Sequence, residues 1–171
     1  DAICRAAIPV GLSVLRDVVE NDSPDAWDAM AWVSTCGGLA LANAGLGAIH
    51  GFAGVIGGQT NAPHGEICGT LLPAVLESHL KRAEKDTEIH ERISWVRRQI
   101  GTHFAMGRQS CGIAELRKWS ATLGLRSLEG LGLSCDDYDE VANAAAKASS
   151  MKGNPFPLTH MDLLEILRAA S

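Results

Sequence analysis

Apolar residues recur at intervals of three or four along the chain, which is the period of an amphipathic α-helix. Residues 2–20 carry Ile3, Ala7, Val10 and Val14 at this spacing. No run of five or more residues alternates apolar and polar side chains as a half-buried strand does, and neither an internal repeat nor a glycine-rich phosphate-binding motif occurs. The pattern therefore predicts an all-α fold, built as a helical bundle.

Capping residues indicate where several of these helices begin. Ser23 followed by Pro24 predicts a helix over residues 24–43, because a serine N-cap and a proline in the first turn both favour a helix start. Its second half, STCGGLALANAG, replaces bulky residues with glycine and alanine, so we expect that half to be buried and closely crossed by another helix. Further predicted elements are helices over residues 2–20, 65–85, 88–100 and 113–123, a loop over 106–112, and helices capped by Ser134 with Asp137 and by Thr159 with Asp162.

Composition and charge exclude several classes of protein. With 171 residues and 46% hydrophobic content the chain can form one domain with a real core. The net charge is −5 and the basic residues are dispersed, so we expect no nucleic-acid partner. No apolar run reaches the ~20 residues of a membrane span, and Asp1 opens the chain without the basic region of a signal peptide, so we expect no membrane partner and a cytoplasmic location. The five cysteines form no CxxC pair and are predicted to be buried, reduced thiols.

Two histidines lie in the glycine-rich stretch AGLGAIHGFAGVIGGQTNAPHGEICGTLLP, which covers residues 44–73. His50 belongs to a short apolar segment, and the sequence GGQTNAP turns the chain so that His64 begins the next helix. Such a hairpin can bring both imidazoles to one metal ion. The spacing by itself matches no generic zinc motif, and paired histidines more often satisfy local backbone groups, so the residues alone leave both interpretations open.

The pieces NAGLGAIHGFAGVIGG and APHGEICGTLLPAV resemble the motif region of the iron-containing alcohol dehydrogenase family, in the dehydroquinate-synthase-like superfamily. The C-terminal ASSMKGNPFPLTHMDLLEILRAA resembles the ending of that family, so the resemblance covers essentially the whole chain. It implies that His50 and His64 are both metal ligands, that the ion is Fe²⁺ or a substituting Zn²⁺, and that the bundle is the α-domain of this superfamily.

The family also has parts with no counterpart in this sequence. Its N-terminal Rossmann-like domain binds NAD(P), and a following helix supplies an Asp and usually a His to the metal. The resemblance therefore implies that residues 1–171 are the C-terminal metal- and substrate-binding domain of a longer enzyme, and that Asp1 is not the Asp ligand. It also implies that NAD or NADP is bound mainly by the absent domain and that this chain alone binds metal weakly and is inactive. Gly54 stands where most members carry a further histidine, so no catalytic or nucleotide-contacting residue is assigned.

The function implied by the resemblance is that of an NAD(P)-dependent, metal-dependent alcohol dehydrogenase or aldehyde reductase, in which the metal polarises the oxygen of a small alcohol or aldehyde substrate for hydride transfer. A homodimer is left open. The alternatives are a metal-independent enzyme similar to maleylacetate reductases, or a non-catalytic helical interaction module. Phe52 is predicted to pack in the core. The glycines near the two histidines are expected to allow close backbone approach around the cleft; they are Gly51, Gly57, Gly58 and Gly65. The remaining polar residues are expected to be exposed to solvent; they are Glu66, His79, His90, His103 and His160.

Overall fold

A computed structural model describes residues 1–105 and 112–171. Over these residues the chain forms eight α-helices and no β-strand, which confirms the all-α fold class. The helices are α1 (Ala2–Asn21), α2 (Pro24–Ala44), α3 (Ala48–Gln59), α4 (His64–Arg82), α5 (Glu88–Phe104), α6 (Gly112–Thr122), α7 (Tyr138–Lys147) and α8 (His160–Ala169). Short 3₁₀ helices, Cys135–Asp137 and Ser149–Gly153, flank α7.

The predicted helix starts agree with the structure to different degrees. At α8 the Thr159 hydroxyl accepts a hydrogen bond from the Asp162 amide while the Asp162 carboxylate accepts one from the Thr159 amide, which is the predicted capping box. Ser134 caps a 3₁₀ turn rather than forming that box. Ser23 precedes α2 without any side-chain capping bond. Of the predicted loop over 106–112, residues 106–111 lie outside the described residues.

Helix α4 is the centre of the bundle because two of its faces contribute to two apolar clusters. Ile67, Leu71 and Val75 belong to a cluster formed with α3, α7 and α8, whereas Leu72 and Leu76 pack against a second cluster formed with α5 and α6. A helix that is apolar on two sides is buried between layers, and α4 is held in that way.

The glycine- and alanine-rich half of α2 is exposed, which corrects the expectation that it is buried and closely crossed. Gly37 and Gly38 are both exposed, and a Cβ atom added at either would meet no atom within 4 Å. The close approach between α1 and α2 lies earlier, where a Cβ on Gly11 would come within 3.2 Å of Val33. Leu39 and Leu41, in the same half of α2, are also exposed.

No described helix is by itself long and apolar enough to cross a membrane. Helices α2 and α3 meet the length and composition requirement only when they are joined, and a bend of 101° separates them.

Candidate metal centre

The start of α3, and with it the position of His50, is fixed by a residue far away in the sequence. Gly47 precedes the helix and has no side chain with which to cap it. The acceptor comes instead from Asn154, whose Oδ1 lies 3.2 Å from the Ala48 amide nitrogen, while its Nδ2 donates to the Phe156 carbonyl at 2.7 Å. A side-chain oxygen that satisfies the first amides of a helix stabilises that helix end.

Gly153 brings the backbone of the second 3₁₀ helix against the chain just before α3. A Cβ atom at this position would lie 1.9 Å from the Leu46 carbonyl oxygen. Because that neighbour is backbone, it cannot move aside as a flexible side chain would. The absence of a side chain at Gly153 therefore permits the contact that supports His50.

We expect Gly153→Ala to lower the free energy of unfolding by about 1–3 kcal/mol, because the added methyl group overpacks against backbone. Urea denaturation followed by circular dichroism measures the change. Gly58→Ala is the matched control, since a Cβ there meets no atom within 4 Å and alanine favours the helix by up to about 1 kcal/mol. Equal effects of the two substitutions would show that the Leu46 contact is not tight.

The structure brings the two predicted ligands together. His50 lies in the first turn of α3, and His64 is the first residue of α4. The centroids of the two imidazole rings are 5.4 Å apart and the ring planes are inclined at 46°. The hairpin between α3 and α4 therefore places both rings against one volume, as the sequence predicted. That they bind a metal stays a prediction.

Cys68 lies beside these two histidines. This proximity was not predicted from the sequence. One ligand atom from each of His50, His64 and Cys68 lies within 4.8 Å of the other two. Cys68 follows His64 by four residues on α4, and its Sγ atom is 3.5 Å from His64 Nε2. The signal in the sequence was the His-x-x-x-Cys spacing, because residues four apart share one face of a helix. Burial raises the pKa of the Cys68 thiol.

The prediction that the cysteines are buried holds for only one of those described. Cys36 is buried, whereas Cys4 and Cys68 are half-buried and Cys135 is exposed; all four are free thiols. Cys111 lies outside the described residues. Cys68 packs only at the edge of the cluster formed by α3, α4, α7 and α8.

Electrostatics favour the neutral form of His50. Burial lowers the pKa of its imidazole, and the charge of a protonated His64 lowers it further. A neutral imidazole keeps a nitrogen lone pair free for an ion. The donor set of two imidazoles with a neighbouring thiol suits Fe²⁺ or Zn²⁺, and its atoms are close enough to serve one ion after small side-chain rotations.

A cavity of about 190 Å³ opens beside His50. Ile49, Val75 and Leu76 give it apolar walls, and His79 contributes a polar group. His79 is only 8% exposed, so the expectation that it faces solvent is wrong. Its Nε2 atom finds no hydrogen-bond partner within the described parts of the chain. This burial could not be predicted from local sequence, because it depends on how α4 packs against the segment after α7.

We expect stability to fall at acid pH partly through His79. Burial, and next the charge of Arg82, lower the pKa of its imidazole below the ordinary value near 6.5. The unfolded chain therefore binds more protons than the folded protein once the pH falls below about 6.5, and the free energy of unfolding decreases there. His79→Gln, which does not titrate, should lose less stability between about pH 7.5 and about pH 5.5. Identical pH slopes in wild type and variant would contradict this assignment, and His160→Gln serves as the exposed control.

Glu66, next but one to His64, is not simply solvated. Its two carboxylate oxygens accept hydrogen bonds from Arg126 Nε at 2.9 Å and Nη2 at 2.6 Å. This pairing lowers the pKa of Glu66. The pair ties the first turn of α4, where His64 lies, to the segment after α6, which fixes the direction of the helix start.

The remaining site expectations are partly confirmed. Phe52 is fully buried, as predicted. Close backbone approach is absent at Gly58 and Gly65, where an added Cβ atom would meet no described atom within 4 Å. Gly57 would meet only a side-chain carbon, and Gly51 would meet the flexible end of Met151. Of the other histidines, His160 is exposed and pairs with Asp139, whereas His90 and His103 are half-buried.

Comparison with known proteins decides the family. The sequence model of the family described as "Fe-containing alcohol dehydrogenase family, C-terminal" matches residues 1–171. This chain belongs to the iron-containing alcohol dehydrogenase family. A 1,3-propanediol dehydrogenase of Citrobacter freundii is 31% identical over 173 residues, and a lactaldehyde reductase of Escherichia coli (strain K12) is 29% identical over 172 residues. In both matches the alignment covers 99% of this chain but only 44% of the relative, so this member of the family spans less than half the length of those oxidoreductases.

Solved structures of this family share the helical fold. A crystal structure of 1,3-propanediol oxidoreductase superposes with a TM-score of 0.83 at 26% identity, and covers 100% of this chain and 45% of that one. An alcohol dehydrogenase from Oenococcus oeni superposes with a TM-score of 0.79 at 25% identity, again over 100% of this chain and 45% of that one. These matches confirm the family resemblance and the fold class that the sequence predicted.

Proposed function

We propose that this chain is the C-terminal metal- and substrate-binding part of an NAD(P)-dependent oxidoreductase that interconverts small alcohols and aldehydes. The observation that carries the proposal is the convergence of His50 and His64, whose ring centroids are 5.4 Å apart although they belong to different helices. Membership in the iron-containing alcohol dehydrogenase family supports it, as does its similarity to a 1,3-propanediol dehydrogenase and a lactaldehyde reductase.

His50 and His64 are the residues that would hold the metal, as neutral imidazole ligands. A bound divalent ion supplies Lewis acidity toward a substrate oxygen. The protein positions the two imidazoles. Asn154 holds the first turn of α3, so the His50 ring is positioned before any ligand arrives. Arg126 does the same for the first turn of α4 through Glu66.

The cavity beside His50 is the proposed site for the carbon chain of the substrate. At about 190 Å³ it holds a molecule of a few heavy atoms and not a large one. Val75 and Leu76 give it apolar walls, and His50 lies at its edge. This arrangement suits a short alcohol or aldehyde, with the oxygen directed toward His50.

The other components of the reaction are proposed to come from outside this chain. Two imidazoles are fewer protein donors than the three or four that stable sites use, so the chain alone should bind an ion weakly. Because the chain spans 44% of its curated relatives, we assign the further ligands and the NAD(P) site to the part of the enzyme that it does not include.

Chelation of the complete enzyme tests the proposal. We expect prolonged treatment with a strong chelator to abolish aldehyde-dependent NAD(P)H oxidation, and Fe²⁺ or Zn²⁺ to restore it. Full activity after exhaustive chelation would instead favour the metal-independent enzyme. A protein with normal helical content and no activity toward any short aldehyde before chelation would favour a non-catalytic module.

A further inference from the structure

We propose that Cys68 is a third protein ligand of this centre, so that a bound ion is coordinated by two imidazoles and one thiolate. The inference rests on the proposed function, because it needs an ion at His50 and His64. It goes further in assigning a sulfur donor, and with it a preference among metals, to a position that the sequence analysis took for core packing.

The geometry of one helix face carries the first step. His64 and Cys68 are four residues apart on α4, so both side chains project from the same face toward the α3 hairpin. The 3.5 Å between His64 Nε2 and Cys68 Sγ equals the about 3.5 Å expected for a nitrogen and a sulfur on one tetrahedral ion with bonds of about 2.0 and 2.3 Å. The pair is thus already spaced as two ligands of one ion.

The third donor is His50, which reaches the same volume from α3. The three ligand atoms, one each from His50, His64 and Cys68, lie within 4.8 Å of one another. Cys68 packs at the edge of the cluster that contains Ile67 and Leu71, but it is only half-buried. Its sulfur lies beside the two imidazoles, where it is accessible to an ion.

The chemistry of the donor set predicts which ion is preferred. Binding replaces the S–H bond of Cys68 with a sulfur–metal bond, and the proton leaves to solvent. A thiolate beside imidazoles is typical of zinc sites, and Zn²⁺ binds such donors more tightly than Fe²⁺. Cys68 should therefore shift this member of an iron-named family toward zinc.

Cobalt titration of the reduced, metal-free protein tests the inference, because thiolate coordination to Co²⁺ gives an intense near-ultraviolet charge-transfer band that imidazoles do not give. We expect the band in wild type, its loss in Cys68→Ser, and a Kd for Zn²⁺ at least about tenfold higher in that variant. Cys135→Ser, which removes an exposed thiol elsewhere, should keep both the band and the affinity. Thermal unfolding of Cys68→Ser checks that the variant is folded.

The outcomes separate this inference from the proposed function. If Co²⁺ binding depends on His64 but shows no charge-transfer band, Cys68 is not a ligand and the two-histidine centre stands. A band that survives in Cys68→Ser overturns the assignment of Cys68 in the same way. If His64→Ala leaves Co²⁺ binding unchanged, or if Co²⁺ does not bind, both the thiolate ligand and the histidine centre are wrong.

Discussion

Replacing His64 with alanine is expected to lower kcat/KM of the complete enzyme by about 10³-fold or more. The Lewis acidity of a bound ion is worth several kcal/mol, and each 1.36 kcal/mol is about a factor of ten in rate. Loss of one imidazole removes a donor from a centre that has few in this chain. Steady-state kinetics of aldehyde reduction with NAD(P)H, together with the metal content of each purified variant, measures the effect.

His160→Ala is the matched control for this substitution. His160 is, like His64, the first residue of a helix, and its side chain is exposed. Its Nε2 atom lies 2.8 Å from a carboxylate oxygen of Asp139, and an exposed contact of this kind contributes at most about 1 kcal/mol. The control should keep wild-type kinetics and metal content. If both variants have equal activity, His64 takes no part in the reaction and the proposed metal centre is wrong.

Replacing Phe52 with alanine is expected to lower the free energy of unfolding by about 3–5 kcal/mol. The ring is fully buried in the cluster that joins α3 to α4, α7 and α8, so its removal leaves a cavity that the surrounding helices cannot close. That loss is a large part of the about 5–15 kcal/mol that stabilises a typical domain. Urea unfolding with a global fit of midpoint and slope measures it.

Trp32→Ala provides the comparison for Phe52→Ala. It also removes an aromatic ring from a helix, but that ring is 46% exposed on α2. We expect a change below about 1 kcal/mol, because a half-exposed ring at the surface leaves no enclosed cavity. If the two substitutions cost the same, the cluster around Phe52 is looser than the structure describes.

The helices and the meeting of the two histidines could be predicted from sequence because both depend on local patterns. Helical periodicity and the Thr159–Asp162 box are encoded within a few residues, and the turn between α3 and α4 is encoded by the short TNAP stretch that ends at Pro63. The family resemblance added the interpretation of His50 and His64 as ligands. The contact of Asn154 with the first turn of α3 was not visible in these local patterns, because it joins residues 106 positions apart.

Most of the incorrect or missing expectations depend on how distant helices pack. The small residues at Gly37 and Gly38 allow another helix to approach, but only tertiary structure decides whether one does, and the described helices leave that face exposed. Burial of His79 follows in the same way from the segment after α7. Cys68 is different, because its spacing from His64 was visible in the sequence. It was not recognised as a candidate ligand because isolated cysteines are most often packed in the core.

The anchoring of α3 by Asn154 has a consequence for how this protein is made. The hydrogen bond from the Ala48 amide to the Asn154 side chain joins residues 106 positions apart. During synthesis on the ribosome, the first turn of α3 and its histidine therefore cannot be fixed by this bond until Asn154 has been translated. Nascent chains that stall before Asn154 would carry both imidazoles without this anchor. Any chimera made between relatives must take Ala48 and Asn154 from the same parent.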